Sequence, residues 1–202
     1  MELLVAAAVT ALQLSSVCGI YFAVAREWDR QQGEGDALVA TTQACSRLAN
    51  YISQSVGAVV ISRSNQGDTL ALNLPADTAH DGLYVPIFSG GEVQYRSGTW
   101  LVFYLSDSSG SHYHTGDILW AATMNWEDYP WSVIPDQEWS LYYDEGTGRI
   151  RPLKSLSFSM ASDGSGNTAI TIIAISSYNI GTTEKQLKLT RTVCLRNSGQ
   201  SP

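Results

Sequence analysis

The sequence predicts an α+β protein: one long N-terminal helix packed on a mainly antiparallel β-sheet. Three observations carry this. Leu3 to Ala25 is nearly all apolar, too long a run for a strand. Residues 26–63 carry a narrow apolar seam with a seven-residue recurrence. From about Thr69 onward the chain breaks into short alternating runs separated by Gly- and Asp-rich turns, the pattern of strands and hairpins. The chain therefore divides into a transmembrane helix (1–25), an amphipathic helix continuing into the globular part (26–63), a β-rich domain (64–197) and a flexible tail (198–202).

The first stretch, with Leu3, Leu4, Val5, Val9, Leu12 and Leu14 among its apolar residues, has no Lys or Arg before Arg26. As a helix it spans about 34 Å, enough for a hydrocarbon core of about 30 Å. Two other readings compete. Ala23-Val24-Ala25 has the A-x-A form of a signal-peptidase site, but Glu2 stands where a signal peptide carries positive charge. A lipoprotein site before Cys18 lacks the small residue and leucine that it needs. By the positive-inside rule, Arg26 and Arg30 alone would leave the C-terminal domain in the cytoplasm. A basic segment ahead of Met1 would remove that bias.

The second stretch places Leu38, Cys45, Leu48, Ile52 and Val56 on one stripe, expected to pack on the sheet. Gly33-Glu34-Gly35 interrupts it. Two glycines cost about 2 kcal/mol of helix propensity, which predicts a kink or a melted turn there.

In the third stretch, Leu70, Leu72 and Leu74 alternate before Pro75, and Trp100 to Leu105 reads as a central strand. Ile118 to Ala122 is a further strand. Hairpins are expected around Asp144 to Gly148 and around Asp163 to Asn167. In the last strand Leu187, Leu189, Val193 and Leu195 share one face, while Cys194 points to the other.

Composition limits the function. Charged residues make up only 15% and hydrophobic ones 44%, which suits an envelope or extracellular surface of Ser, Thr, Asn and Gln. A net charge of −7 without a basic run predicts no nucleic-acid partner. Cys18, Cys45 and Cys194 form no CxxC pair, which argues against a zinc site or a disulfide scaffold. A Cys45–Cys194 bridge is disfavoured because the two point to different sides of the sheet.

The opening Met1-Glu2-Leu3-Leu4-Val5-Ala6 resembles the start of type IV pilin-like proteins. In that family a prepilin peptidase cuts after the Gly of a short basic leader. The mature chain opens on a Phe-Thr-Leu-X-Glu-Leu-Leu pattern and continues as a long helix. Three further stretches, "RLANYISQSVGAVVI" (47–61), "SGTWLVFYLSD" (97–107) and "LKLTRTVCLRN" (187–197), look like segments of J-type minor pseudopilins and minor pilins. Ser111 to Glu138 matches nothing in that pattern. The resemblance implies that the leader and first mature residues lie upstream of Met1. It implies a structural minor subunit of a type IV pilus or type II secretion pseudopilus, held in the bacterial inner membrane by a single pass. Its globular domain would sit in the periplasm or on an extracellular filament. Its partners would be other pilin or pseudopilin subunits, the prepilin peptidase and the membrane. Residues 1–25 would become filament core, and Glu2 would set register by pairing with a neighbouring subunit's N-terminal amine. Such a pairing offsets part of the several kcal/mol that a carboxylate costs in hydrocarbon.

Candidate chemistry elsewhere is weaker. His112-Tyr113-His114 would make a metal pair on a strand, but Ser106 to Gly116 reads as a hairpin loop with exposed histidines, and no metal site is assigned. Asp163-x-Ser165-x-Asn167 looks like the front of a calcium loop without its closing glutamate. Trp126, Trp131 and Trp139 lie in an aromatic stretch (126–143) that either roofs the sheet's second face or contacts a partner. No nucleophile elbow, HExxH or phosphate loop occurs, so neither an enzyme nor a cofactor is expected. The alternative class is a membrane-anchored or secreted β-rich binding protein that uses the aromatic stretch.

Overall fold

The computed structural model describes residues 2–63, 67–75, 86–89, 92–95, 97–124, 139–140, 143–144, 149–150, 152–162 and 168–195. It has the expected α+β arrangement, a long N-terminal helix packed on antiparallel strands. The helix α1 runs unbroken over Glu2–Gln54, 53 residues, or about 80 Å.

The expected break at Gly33-Glu34-Gly35 is absent, and the reason is local. A Cβ at Gly33 would sit 3.2 Å from Tyr178 Cβ, so the glycine lets a strand approach the helix closely. The flanking turn is held by Arg30, which reaches Glu34 at 3.4 Å.

The helix ends at Gln54, earlier than the sequence reading placed it. Ser55 donates its N–H to Ile52 O at 3.1 Å and its hydroxyl to Tyr51 O at 2.7 Å. Val56 N–H then bonds Asn73 O at 2.9 Å, delivering the chain to the sheet. Residues assigned to the helix beyond that point form strand β1 (Gly57–Arg63). Val59, Val60 and Ile61 are β-branched, which favours the pleated backbone over the helix.

Two main sheets follow rather than one. The larger has the order β1-β2-β5-β6-β7, all antiparallel, with β2 (Gly67–Pro75), β5 (Ser97–Ser106), β6 (Ile118–Met124) and the two-residue β7 (Trp139–Ser140). β5 is its central strand. The smaller is a meander of β10 (Ser155–Ser162), β11 (Thr168–Ile180) and β12 (Thr183–Cys194). Two ribbons complete the set among the described residues: β3 (Pro86–Ser89) with β4 (Glu92–Tyr95), and β8 (Tyr143–Asp144) with β9 (Arg149–Ile150). The β8–β9 pairing agrees with the hairpin expected at Asp144 to Gly148.

The sheets are joined by Phe158 N–H, which donates to Asp68 Oδ2 at 3.0 Å. A linker, Pro152 to Lys154, is pinned by Leu153 N–H to Asp117 O and by Lys154 N–H to Ile175 O, both 2.7 Å. The main core lies where the helix meets both sheets. Leu48 and Ile52 of the helix touch a cluster that includes Leu72, Phe103, Leu119, Leu156 and Ile172. The run Trp100 to Leu105 is buried on both faces. Leu101, Phe103 and Leu105 belong to the main core, while Trp100, Val102 and Tyr104 join a second cluster on the opposite face.

Candidate functional site: the projecting apolar rod

Half of the buried residues in the helical seam that packs on the sheet are alanine. Ala37, Thr41, Cys45 and Ala49 form one row at four-residue spacing, and Ala40, Ala44, Leu48 and Ile52 the next; all are buried. Rows at this spacing form the ridge along which a helix docks. Cys45, Leu48 and Ile52 lie where the sequence placed them. Leu38 does not: it is 51% exposed, one residue and about 100° away from the buried Ala37. Val56 lies past the helix end and is half-buried. Thr41 pays no penalty for burial, because its hydroxyl donates to Ala37 O at 3.0 Å.

Residues 2–24 have the opposite character. Every one of them is exposed. The six apolar residues singled out above, Leu3, Leu4, Val5, Val9, Leu12 and Leu14, are between 51% and 88% exposed. The segment is long and apolar enough to cross a membrane. Its Thr and Ser hydroxyls are turned inward on the backbone: Thr10 donates to Ala6 O at 2.8 Å, and Ser15 and Ser16 both donate to Leu12 O at 2.9 Å. Hydroxyls bonded in this way need no partner from hydrocarbon. Glu2 stands in the first turn. The first basic residue of the chain is Arg26, about 36 Å further along the helix, so no side chain of the rod neutralises that carboxylate.

Where the rod meets the domain a charged collar closes the apolar surface. Arg30 grips Glu27 with two nitrogens, at 2.9 Å and 2.5 Å, and Gln31 adds a third bond to Glu27 at 3.0 Å. The Arg30 bond, then that of Gln31, hold the Glu27 carboxyl down at about 2. The same pairing raises the Arg30 guanidinium further above its ordinary value. Trp28, 68% exposed, projects from the collar.

The histidine motif lies in the β5–β6 loop, as expected, but only His114 is exposed; His112 is buried and its ring lies 3.8 Å from that of Tyr113. Asp107, Ser109 and His114 form a small cluster. Ser109 Oγ and Asp107 Oδ2 each lie 3.1 Å from His114 Nδ1. Both partners address the same ring nitrogen, whereas a nucleophile and its orienting acid must take opposite ones. The cluster is therefore a loop staple. Ser109 bonds hold Asp107 below the usual carboxylate range. Among the described residues no group of three or more His, Cys, Asp or Glu side chains is placed to hold a metal ion. The three cysteines are free; Cys45 is buried and Cys18 and Cys194 are exposed. Burial raises the Cys45 thiol above its ordinary value.

Trp126, Trp131 and Asp163 to Asn167 lie outside the described residues, as does the side chain of Trp139, whose backbone pairs with Ala121 in β7. No protein-family model, no curated protein and no solved structure matches this chain.

Proposed function

We propose that this chain is a minor structural subunit of a type IV pilus or a type II secretion pseudopilus. Before assembly the rod holds it in the bacterial inner membrane, with the β-rich domain on the periplasmic side. On assembly the rods of neighbouring subunits bundle, burying Leu3 to Ala25 as filament core. Glu2 then meets the N-terminal amine of a neighbour, which fixes the axial register. Prepilin peptidase is a partner if a leader is encoded ahead of Met1.

One observation carries the reading: in a single continuous helix, Glu2–Gln54, residues 2–24 are all exposed and mainly apolar, while the part from Ala37 onward docks on the strands. A subunit that must leave a bilayer and enter a helical bundle needs a rod with these two surfaces. The Glu-Leu-Leu start supports it from the sequence side.

Photo-crosslinking from position Leu12 in the native host tests the proposal. Adducts to other filament subunits are expected, and Glu2→Ala should remove them several-fold while the protein stays in the membrane fraction. Membrane-bound protein that gives no subunit adduct overturns the proposal and favours the anchored binding protein.

A further inference from the structure

The β11–β12 hairpin points back along the rod, and two contacts fix how far it reaches. Arg191 Nη1 lies 3.4 Å from Ser46 Oγ, and Arg191 pairs across the ladder with Ile172. Tyr178 packs on Gly33. From Ile172 to Tyr178 the strand advances about 20 Å. From Ser46 back to Gly33 the helix retreats about 20 Å. The strand and the helix therefore run side by side, in opposite directions. The remaining three steps from Tyr178 to the turn at Gly181, about 10 Å, correspond to about seven helical residues. The hairpin tip thus lies level with Arg26, immediately beyond the last residue of the apolar segment, Ala25.

The tip suits what lies at that level. Asn179, Ile180, Gly181, Thr182 and Thr183 carry no charge, and all but Ile180 are exposed. Gly181 has φ +61, the left-handed turn geometry that glycine adopts freely. Lys185 is exposed beside the tip. Three of the nearby acids are already engaged: Glu184 by Lys154 at 2.6 Å, and Glu27 and Glu34 by Arg30; Asp29 lies on the same stretch of the rod. Trp28, Arg26 and Arg30 on the rod are residue types that settle at headgroup depth.

We propose that the β11–β12 tip is a second membrane contact, resting on the lipid headgroup region beside the emerging rod. The inference rests on reading Leu3 to Ala25 as a membrane span. Two points of contact hold the domain upright on the bilayer, where one would leave it free to tilt.

The test uses a thiol-linked environment-sensitive fluorophore on the full chain in vesicles of phosphatidylethanolamine and phosphatidylglycerol. Buried Cys45 is left unlabelled. With Cys194→Ser the label sits on Cys18; with Cys18→Ser and Cys194→Ser it is moved to Thr182→Cys, or to Ser159→Cys as an exposed reference on β10. Iodide should quench the Thr182→Cys label several-fold less than the Ser159→Cys label, and adding Ile180→Asp should restore quenching. Equal quenching at the two positions, with the Cys18 label shielded, overturns the hairpin contact alone. A Cys18 label open to iodide overturns the span and the hairpin contact together.

Discussion

The two halves of α1 invert the usual relation between apolarity and burial. The first half carries Leu, Val, Ile and Phe, and residues 2–24 are all exposed. The second half buries eight residues, of which four are alanine and one is threonine. In a protein bathed only in water the large apolar side chains would be the ones covered, since burial of each is worth about 1.5–3 kcal/mol. The inversion makes sense if the two halves face different solvents. In the second half small residues bring the helix close to β11 and β12, and the stabilisation comes from Leu48 and Ile52 together with close backbone approach. On the function proposed above, the large residues of the first half project outward because lipid or a second rod is their partner. The break between the regimes is the collar of Glu27, Arg30 and Glu34.

The sharpest way to break this comparison is one substitution made in both halves. Leu48→Ala removes a fully buried side chain and should lower the unfolding free energy by about 2–5 kcal/mol. Leu12→Ala, at a position 69% exposed, should leave unfolding of the β-rich domain unchanged within about 0.5 kcal/mol. Denaturant unfolding in mild detergent, followed by tryptophan fluorescence, reads both. Equal losses would mean that the rod half is part of the domain's own core.

A smaller effect sharpens the account of the alanine rows. Ala44 is fully buried in the main cluster, so Ala44→Leu must push the helix from the sheet and should cost about 1–3 kcal/mol. The same change at Ala11, in the exposed half, should be neutral by thermal unfolding. A neutral Ala44→Leu would show that the helix does not approach the sheet as closely as described.

These alanine rows also explain what could and could not be read from sequence. The rod was legible because it is long, uniformly apolar and free of Lys and Arg. β5 and β6 were legible as short continuous apolar runs, and β10 and β12 because their apolar residues recur at period two. The seam was misplaced at Leu38 because large apolar residues draw the eye, while the buried rows rest on Ala37 and Ala40, whose side chains carry little signal. The kink predicted at Gly33 failed because propensity is local and the role of that glycine is tertiary: it makes room for Tyr178, 145 positions away in the sequence. β1 was absorbed into the helix because nothing in Ser55-Val56 announces a stop; the helix ends through the bond from Val56 to Asn73. The division into two sheets has no local signature either, since it depends on which strands pair.

The smallest effect concerns the collar itself. Glu27 has its carboxyl depressed from 4.5 to about 2 by Arg30 and Gln31. A group whose folded value lies below its unfolded one stabilises the folded state fully above the unfolded value, and loses that contribution as pH falls through the folded value. The collar should therefore be intact at neutral pH and weaken between about pH 4.5 and about pH 2. The pair is exposed, so its effect on global stability is small and falls with salt. The direct measurement is the Glu27 carboxyl shift by NMR in micelles, with Glu27→Gln to assign the signal. Arg30→Gln should return the midpoint toward the ordinary carboxylate value. A midpoint that starts there in the unaltered protein would remove the collar as a boundary between the two halves. The change of regime along α1 would then rest on the packing of Tyr178 against Gly33 alone.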